Sequence, residues 1–200
     1  MRLRKVFFRN IIFWSFIAAL MVASVFFTHS VELTRKQLAK ARLTESIADN
    51  TKATVVAVID GDEVTVKSAT TKEFVVRILG IKAFSANRLE RQISTYGKRA
   101  MSELQQLVGK DVQLRFSEFK KDSRGRVLAY VELEGQDVGK RLIGSGWAIV
   151  YELYPFERMT SYLTTEREAL TERRGLWGND KARERSLALK VAWEAMKNDV

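Results

Sequence analysis

In the stretch RILGIKAFS, Arg77 to Ser85, an arginine rides on an apolar strand that runs through Gly80 into a turn. A site for phosphate or metal chemistry would place carboxylates in that turn, but Lys82, Ala83 and Ser85 stand there instead. Composition removes several other chemistries. The chain has no cysteine, which excludes disulfides, thiolate nucleophiles and cysteine-based zinc or iron–sulfur sites. Its one histidine, His29, ends a long apolar run with no partner near it in sequence, and reads as an interfacial polar residue rather than a metal ligand.

The elements that must position these residues can be read from residue 53 onward. ATVVAVIDGDEVTVKS is rich in β-branched residues and breaks at Asp60-Gly61, a pair suited to the positive φ of a tight hairpin turn. EFVVRILGI is a third strand and completes a meander. Ser94–Val108 has Ala100, Leu104, Leu107 and Val108 at helical spacing and stops at Gly109. DVQLRFSEF and VLAYVELEG are two more strands, joined through KKDSRGR. Helical segments follow at about 137–144 and 156–173. The class is α+β, mainly β. Five short strands interrupted by a helix after the third predict a closed Greek-key barrel of the oligonucleotide- and oligosaccharide-binding (OB) type, with about three helices.

Upstream, Ile11 to Thr28 is an uncharged apolar run close to the roughly 17–25 residues that a membrane-spanning helix needs. Arg2, Arg4, Lys5 and Arg9 precede it in a basic flank (1–10), which predicts a cytoplasmic amino terminus and a globular part on the far side. A cleaved signal peptide ending near Val22-Ala23-Ser24 is the rival, although the apolar cores of such peptides run about 7–15 residues. Residues 29–52 are rich in helix formers, lack glycine and proline, and read as a helical stalk. Lysine and arginine number 34 against 24 aspartates and glutamates, so the formal net charge of +10 favours polyanions such as nucleic acid or anionic lipid. Beyond Trp177, residues 179–200 predict a helix capped by Asn179 or Asp180. Its Leu189, Trp193 and Met196 share a face for docking on the barrel or on a partner.

The order VVAVIDGDEVTV, VVRILGI, YGKRAMSELQQLVGKDVQL, KDSRGRVLAYV, LIGSGWAIVY and RRGLW resembles the staphylococcal nuclease (thermonuclease) family over residues 53–178. That resemblance implies a calcium-dependent phosphodiesterase acting on DNA and RNA. In such enzymes aspartates bind the metal, a glutamate helps water attack, and two arginines stabilise charge on phosphorus. It assigns Asp62 to a metal aspartate and Arg77 and Arg126 to the two arginines; with Lys82, such a cluster around one aspartate would be net positive, and suited to a phosphate or another acidic group. After the arginine strand the family reads Asp-Thr-Pro-Glu, whereas this chain has Lys82, Ala83, Phe84 and Ser85, so a second metal carboxylate and the catalytic glutamate are missing. Calcium takes about 6–8 oxygen ligands, and Lys82 sets a cation where it would bind. Glu63 should point to the opposite strand face from Asp62, and Glu90 would reach in only by an unusual route. Asp60, Gly61 and Asp62 would equally persist for the turn alone, with Arg77 as an ion pair that holds the barrel mouth. Tyr151 and Tyr154 match the family's nucleotide-packing tyrosines with a slip of about one residue, as stacking rings or as groove filling.

The expected function is therefore a membrane-anchored, catalytically inactive nuclease-like domain, without metal or cofactor. It would serve binding or assembly as an accessory subunit of a membrane complex. The alternatives are a tethered nuclease with rearranged ligands, needing calcium, and a binder of single-stranded nucleic acid that does not cut. The expected location is a bacterial inner membrane with the domain in the periplasm; the runner-up is a mitochondrial inner membrane with the domain in the intermembrane space.

Overall fold

In the computed structural model the described residues are 21, 50–69, 72–86, 91–117, 121–122 and 126–198. The apolar run 11–28, apart from residue 21, and the stalk as far as 49 lie outside them, as do His29 and Glu90. Among the described residues no helix is long and apolar enough to cross a membrane.

The β-branched run forms β1 (Thr51–Asp60) and β2 (Glu63–Ser68), which pair antiparallel and are followed by β3 (Phe74–Ile78) and β4 (Ile81–Ala83). Next come α1 (Arg91–Gln105), β5 (Asp111–Arg115), β6 (Val127–Leu133), β7 (Gln136–Asp137) and α2 (Val138–Gly144). The remainder is β8 (Ala148–Val150), α3 (Met159–Thr171), a 3-10 turn (Gly175–Gly178) and α4 (Asp180–Asn198). Strands β3, β2, β1, β5 and β6 lie side by side, and a parallel β3–β6 pairing, Arg77 opposite Leu128, closes them into a five-stranded barrel. Period-two alternation fills its interior with Val55, Val64, Val66, Val76, Ile78, Val112, Leu114, Ala129 and Val131, each 2 % exposed or less. Two register shifts bend β1 around the wall, between Val55 and Ala57 and between Val58 and Asp60.

Three features depart from the sequence expectation. Asp60 pairs with Glu63, so the hairpin turn is Gly61-Asp62, and none of Asp60, Gly61 and Asp62 has a positive φ. Gly61 is required by space instead, because a Cβ there would lie 2.7 Å from the Ala83 Cβ and 2.8 Å from the Ala100 Cβ. The positive-φ hairpin is found at Glu134-Gly135 (φ 53° and 78°), which turns β6 back as β7. Finally, Lys82 and Ala83 lie not in a turn but on β4, which pairs antiparallel with β8, Lys82 opposite Ile149.

Helix α1 buries Ala100 and Leu104, and Asn179 caps α4 by accepting the Ala182 amide at 3.0 Å. At the far end of the barrel, Arg158 donates to Asp137 at 2.6 Å and to Glu132 at 2.5 Å while lying 4.1 Å over the Tyr130 ring. Asp137 also accepts the Tyr162 hydroxyl and the Lys140 amide, so one carboxylate ties α2, α3 and the sheet together. Burial pushes the Tyr162 phenol upward, and the Asp137 charge adds to that.

Gly97 sets how closely α1 approaches the chain that leaves β4. A Cβ at residue 97 would fall 2.1 Å from the Phe84 carbonyl oxygen, a backbone atom that cannot swing aside. Gly97→Ala should therefore destabilise the domain by about 3 kcal/mol, read as a lower thermal midpoint; an unchanged midpoint would show that α1 is free to shift.

Candidate functional site

Asp62 occupies the second position of the β1–β2 turn, and its side chain is 1 % exposed. A carboxylate so far from water needs donors, and three elements supply them to one oxygen. Arg77 on β3 reaches Asp62 Oδ2 at 3.3 Å, Lys82 Nζ on β4 reaches it at 3.1 Å, and the Ala83 amide donates to it at 3.1 Å. Arg77 stands directly across the ladder from Glu63, and its Nη1 donates to Glu63 Oε1 at 3.0 Å. The same oxygen accepts Arg126 Nη1. Arg126 then closes on Asp122, with its amide on Oδ1 at 2.9 Å and its Nε on Oδ2 at 2.6 Å.

The structure thus brings together Asp62, Arg77, Lys82 and Arg126, and adds Glu63 and Asp122. Glu63 does not face away from Asp62. Strand alternation does not apply between them, because Asp62 lies in the turn and Glu63 is the first residue of β2, registered opposite Arg77. Nor is the cluster net positive: Arg77, Lys82 and Arg126 face Asp62, Glu63 and Asp122, three charges against three. Burial would by itself lower the Arg126 pKa, but its bonds to Asp122 and Glu63 outweigh that and raise it. Among the described residues no group of three or more histidines, cysteines, aspartates or glutamates is disposed to hold a metal ion. Ser85 lies beyond β4, two residues past its last residue Ala83.

Tyr151 follows β8, and its amide donates to the Gly80 carbonyl at 2.9 Å. Burial raises its phenol pKa, as does Tyr154, whereas Arg77 and Arg126 pull it down, so the hydroxyl lies within electrostatic reach of the cluster. The Tyr151 ring meets Trp193 of α4 edge-on at 4.9 Å, and Tyr154, 64 % exposed, stands 6.4 Å away. Next to Tyr151, Glu152 accepts Lys190 of α4, and the same ammonium is 2.6 Å from Glu166 Oε2. Glu166 also accepts the Val150 amide at 2.8 Å. Its burial raises its pKa, and Lys190 opposes that shift. Trp193 and Leu189 turn inward onto a cluster with Ile149, Leu176 and Trp177, so of the three residues that the sequence grouped on one face only Met196 is exposed.

The model of the family described as staphylococcal nuclease homologue matches residues 75–179, just over half of the chain. The chain belongs to that family. The matched span holds Arg77, Lys82, Arg126, Tyr151 and Tyr154; the turn with Asp62 and Glu63 precedes it and α4 follows it. A comparison with curated proteins finds no match.

Two outcomes follow from these ion pairs. Asp62→Ala leaves Lys82 and the Ala83 amide without their shared acceptor and Arg77 with Glu63 alone, and should cost about 3–5 kcal/mol. Lys82→Met removes a cation that is 34 % exposed while Arg77 and the Ala83 amide remain, and should cost about 1 kcal/mol or less. Urea melts of the two variants decide; equal losses would place the stabilisation elsewhere. The second outcome concerns pH. With the folded pKa of Glu166 raised above 4.5, its contribution to stability is full below the unfolded value and is lost as pH rises through the folded value. Melts of wild type and Glu166→Gln, compared from neutrality down to 4.5, should show wild type gaining on the variant as pH falls; a constant difference would contradict the shift.

Proposed function

We propose that this chain is a membrane-anchored, catalytically inactive member of the staphylococcal nuclease homologue family. On this reading it serves as a binding or assembly module, an accessory subunit of a membrane complex. The observation that carries the proposal is the Lys82 ammonium 3.1 Å from Asp62 Oδ2. A fixed cation stands against the carboxylate that the family resemblance gives to calcium, and a divalent ion there would face a like charge with one acidic ligand. The donor set does not fit calcium. Each arginine is also already committed: Glu63 accepts from both Arg77 and Arg126, and Asp122 holds Arg126 a second time. A phosphodiester would have to displace these carboxylates before either guanidinium could stabilise its charge. No acid stands in the segment Lys82–Ser85 directly after the arginine strand to position water, and such a device typically contributes a factor of about 10² or more.

The anchor rests on the uncharged run from Ile11 to Thr28 and its basic flank, which favour a cytoplasmic amino terminus with the domain across an inner membrane, in the periplasm. A surface-held domain without chemistry of its own suits a subunit that docks onto other membrane proteins. The cleft would take nucleic acid only with its carboxylates displaced.

The full chain, extracted in mild detergent, should cut neither single-stranded DNA nor RNA above an Arg77→Ala, Arg126→Ala variant, with calcium, magnesium or manganese present. Its melting midpoint should not move between calcium and chelator, since any ion bound only by the folded state raises stability by mass action. Other membrane proteins should co-purify in fixed ratio. Cleavage that is lost in the double variant would overturn the reading.

A further inference from the structure

Helix α4 lies beyond the residues that match the family, yet two of its side chains hold the chain that borders the ion cluster. Lys190 and Trp193 are one helical turn apart, so they project from the same side of α4. Their partners are consecutive: Lys190 pairs with Glu152 and Trp193 packs edge-on against Tyr151 at 4.9 Å. The grip is fixed from below, because Lys190 also reaches Glu166 Oε2 on α3 at 2.6 Å and Glu166 Oε1 takes the Val150 amide. Lys190 is only 17 % exposed and Trp193 8 %. The segment from Val150 to Glu152 is therefore held at backbone, carboxylate and ring by groups on α3 and α4.

We propose that α4 is an intramolecular latch, in which Lys190 and Trp193 grip Glu152 and Tyr151 and keep the Tyr151 ring from a ligand at the Arg77–Arg126 cluster. A ring next to two guanidinium groups is the general chemistry for a planar base carrying a phosphate. With α4 seated, the Tyr151 ring is held edge-to-face with Trp193, planes at 81° and centroids 4.9 Å apart, and Glu63 already accepts from both arginines. Lifting α4 frees the ring, and stacking on it then helps a phosphate to displace Glu63. The inference does not depend on whether the domain cuts nucleic acid: cleavage would refute the function proposed above and leave the latch standing.

The test uses the full chain in mild detergent at low salt, with a fluorescein-labelled oligothymidylate as probe. Lys190→Met with Trp193→Ala should bind the probe about tenfold more tightly than wild type, the order of one freed stacking ring. Adding Tyr151→Ala should return the affinity to that of wild type. A double variant that melts cooperatively but binds like wild type overturns the proposal, and so does a gain that survives Tyr151→Ala. If the double variant does not fold, Lys190→Met alone decides: it keeps side-chain volume and removes only the ammonium. It should speed hydrogen exchange of the α4 amides and raise affinity several-fold; no change in either, in a folded protein, refutes the latch.

Discussion

An aspartate that is 1 % exposed at the mouth of a barrel must be met by positive charge and N–H donors, and much of this structure meets that requirement. Asp62 lies in a two-residue turn; Arg77 comes from β3, and Lys82 and the Ala83 amide come from β4. The convergence needs Gly61, because any side chain there would collide with Ala83 and Ala100, which are what bring β4 and α1 up to the turn. β4 in turn is held in place by β8, through Lys82 opposite Ile149. The cation that answers Asp62 is thus delivered by the chain itself rather than by a dissolved metal ion, and its presence does not depend on the concentration of such an ion. It does carry the entropic cost of ordering a long side chain.

Neutralisation extends one layer further. Glu63 sits opposite Arg77 in the ladder and also accepts from Arg126, whose backbone and guanidinium are both taken by Asp122. Charge-assisted bonds of this kind orient the arginines as firmly as a ligand would, but inward, on each other's partners. The formal +10 of the chain is therefore not concentrated at this cleft. Composition suggests an affinity for polyanions, whereas the local arrangement withdraws the residues best suited to supply it.

The barrel is legible in the sequence because β-branched runs bounded by turn residues carry a periodicity that one chain displays by itself. β4 and β8, three residues each, show no such period, so KAFS reads as a turn until the pairing with Ala148–Val150 is known. At Gly61 the glycine is visible but its reason is not: a short pair of residues between strands suggests positive φ, while the actual constraint is a tertiary clash with Ala83 and Ala100. Glu63 is misplaced by counting alternation across a turn, although counting ladder partners outward from that turn sets it against Arg77. Asp122, four residues before Arg126, was within reach of sequence reasoning through spacing alone.

α4 shows why an apolar face is hard to assign from sequence. Between Leu187 and Met196 only Lys190 and Glu194 are charged, so several faces of the helix qualify as the buried one. The structure selects Leu189 and Trp193 and leaves Leu187, Val191 and Met196 exposed, and what breaks the tie is Lys190. Its ammonium can be buried only where carboxylates wait for it, and Glu152 and Glu166 are together on one side alone. A polar residue, not the hydrophobic ones, fixes the rotation of the helix. The same constraint governs Asp62 at the barrel mouth: in both places a single buried charge decides which elements must meet, and the apolar packing follows.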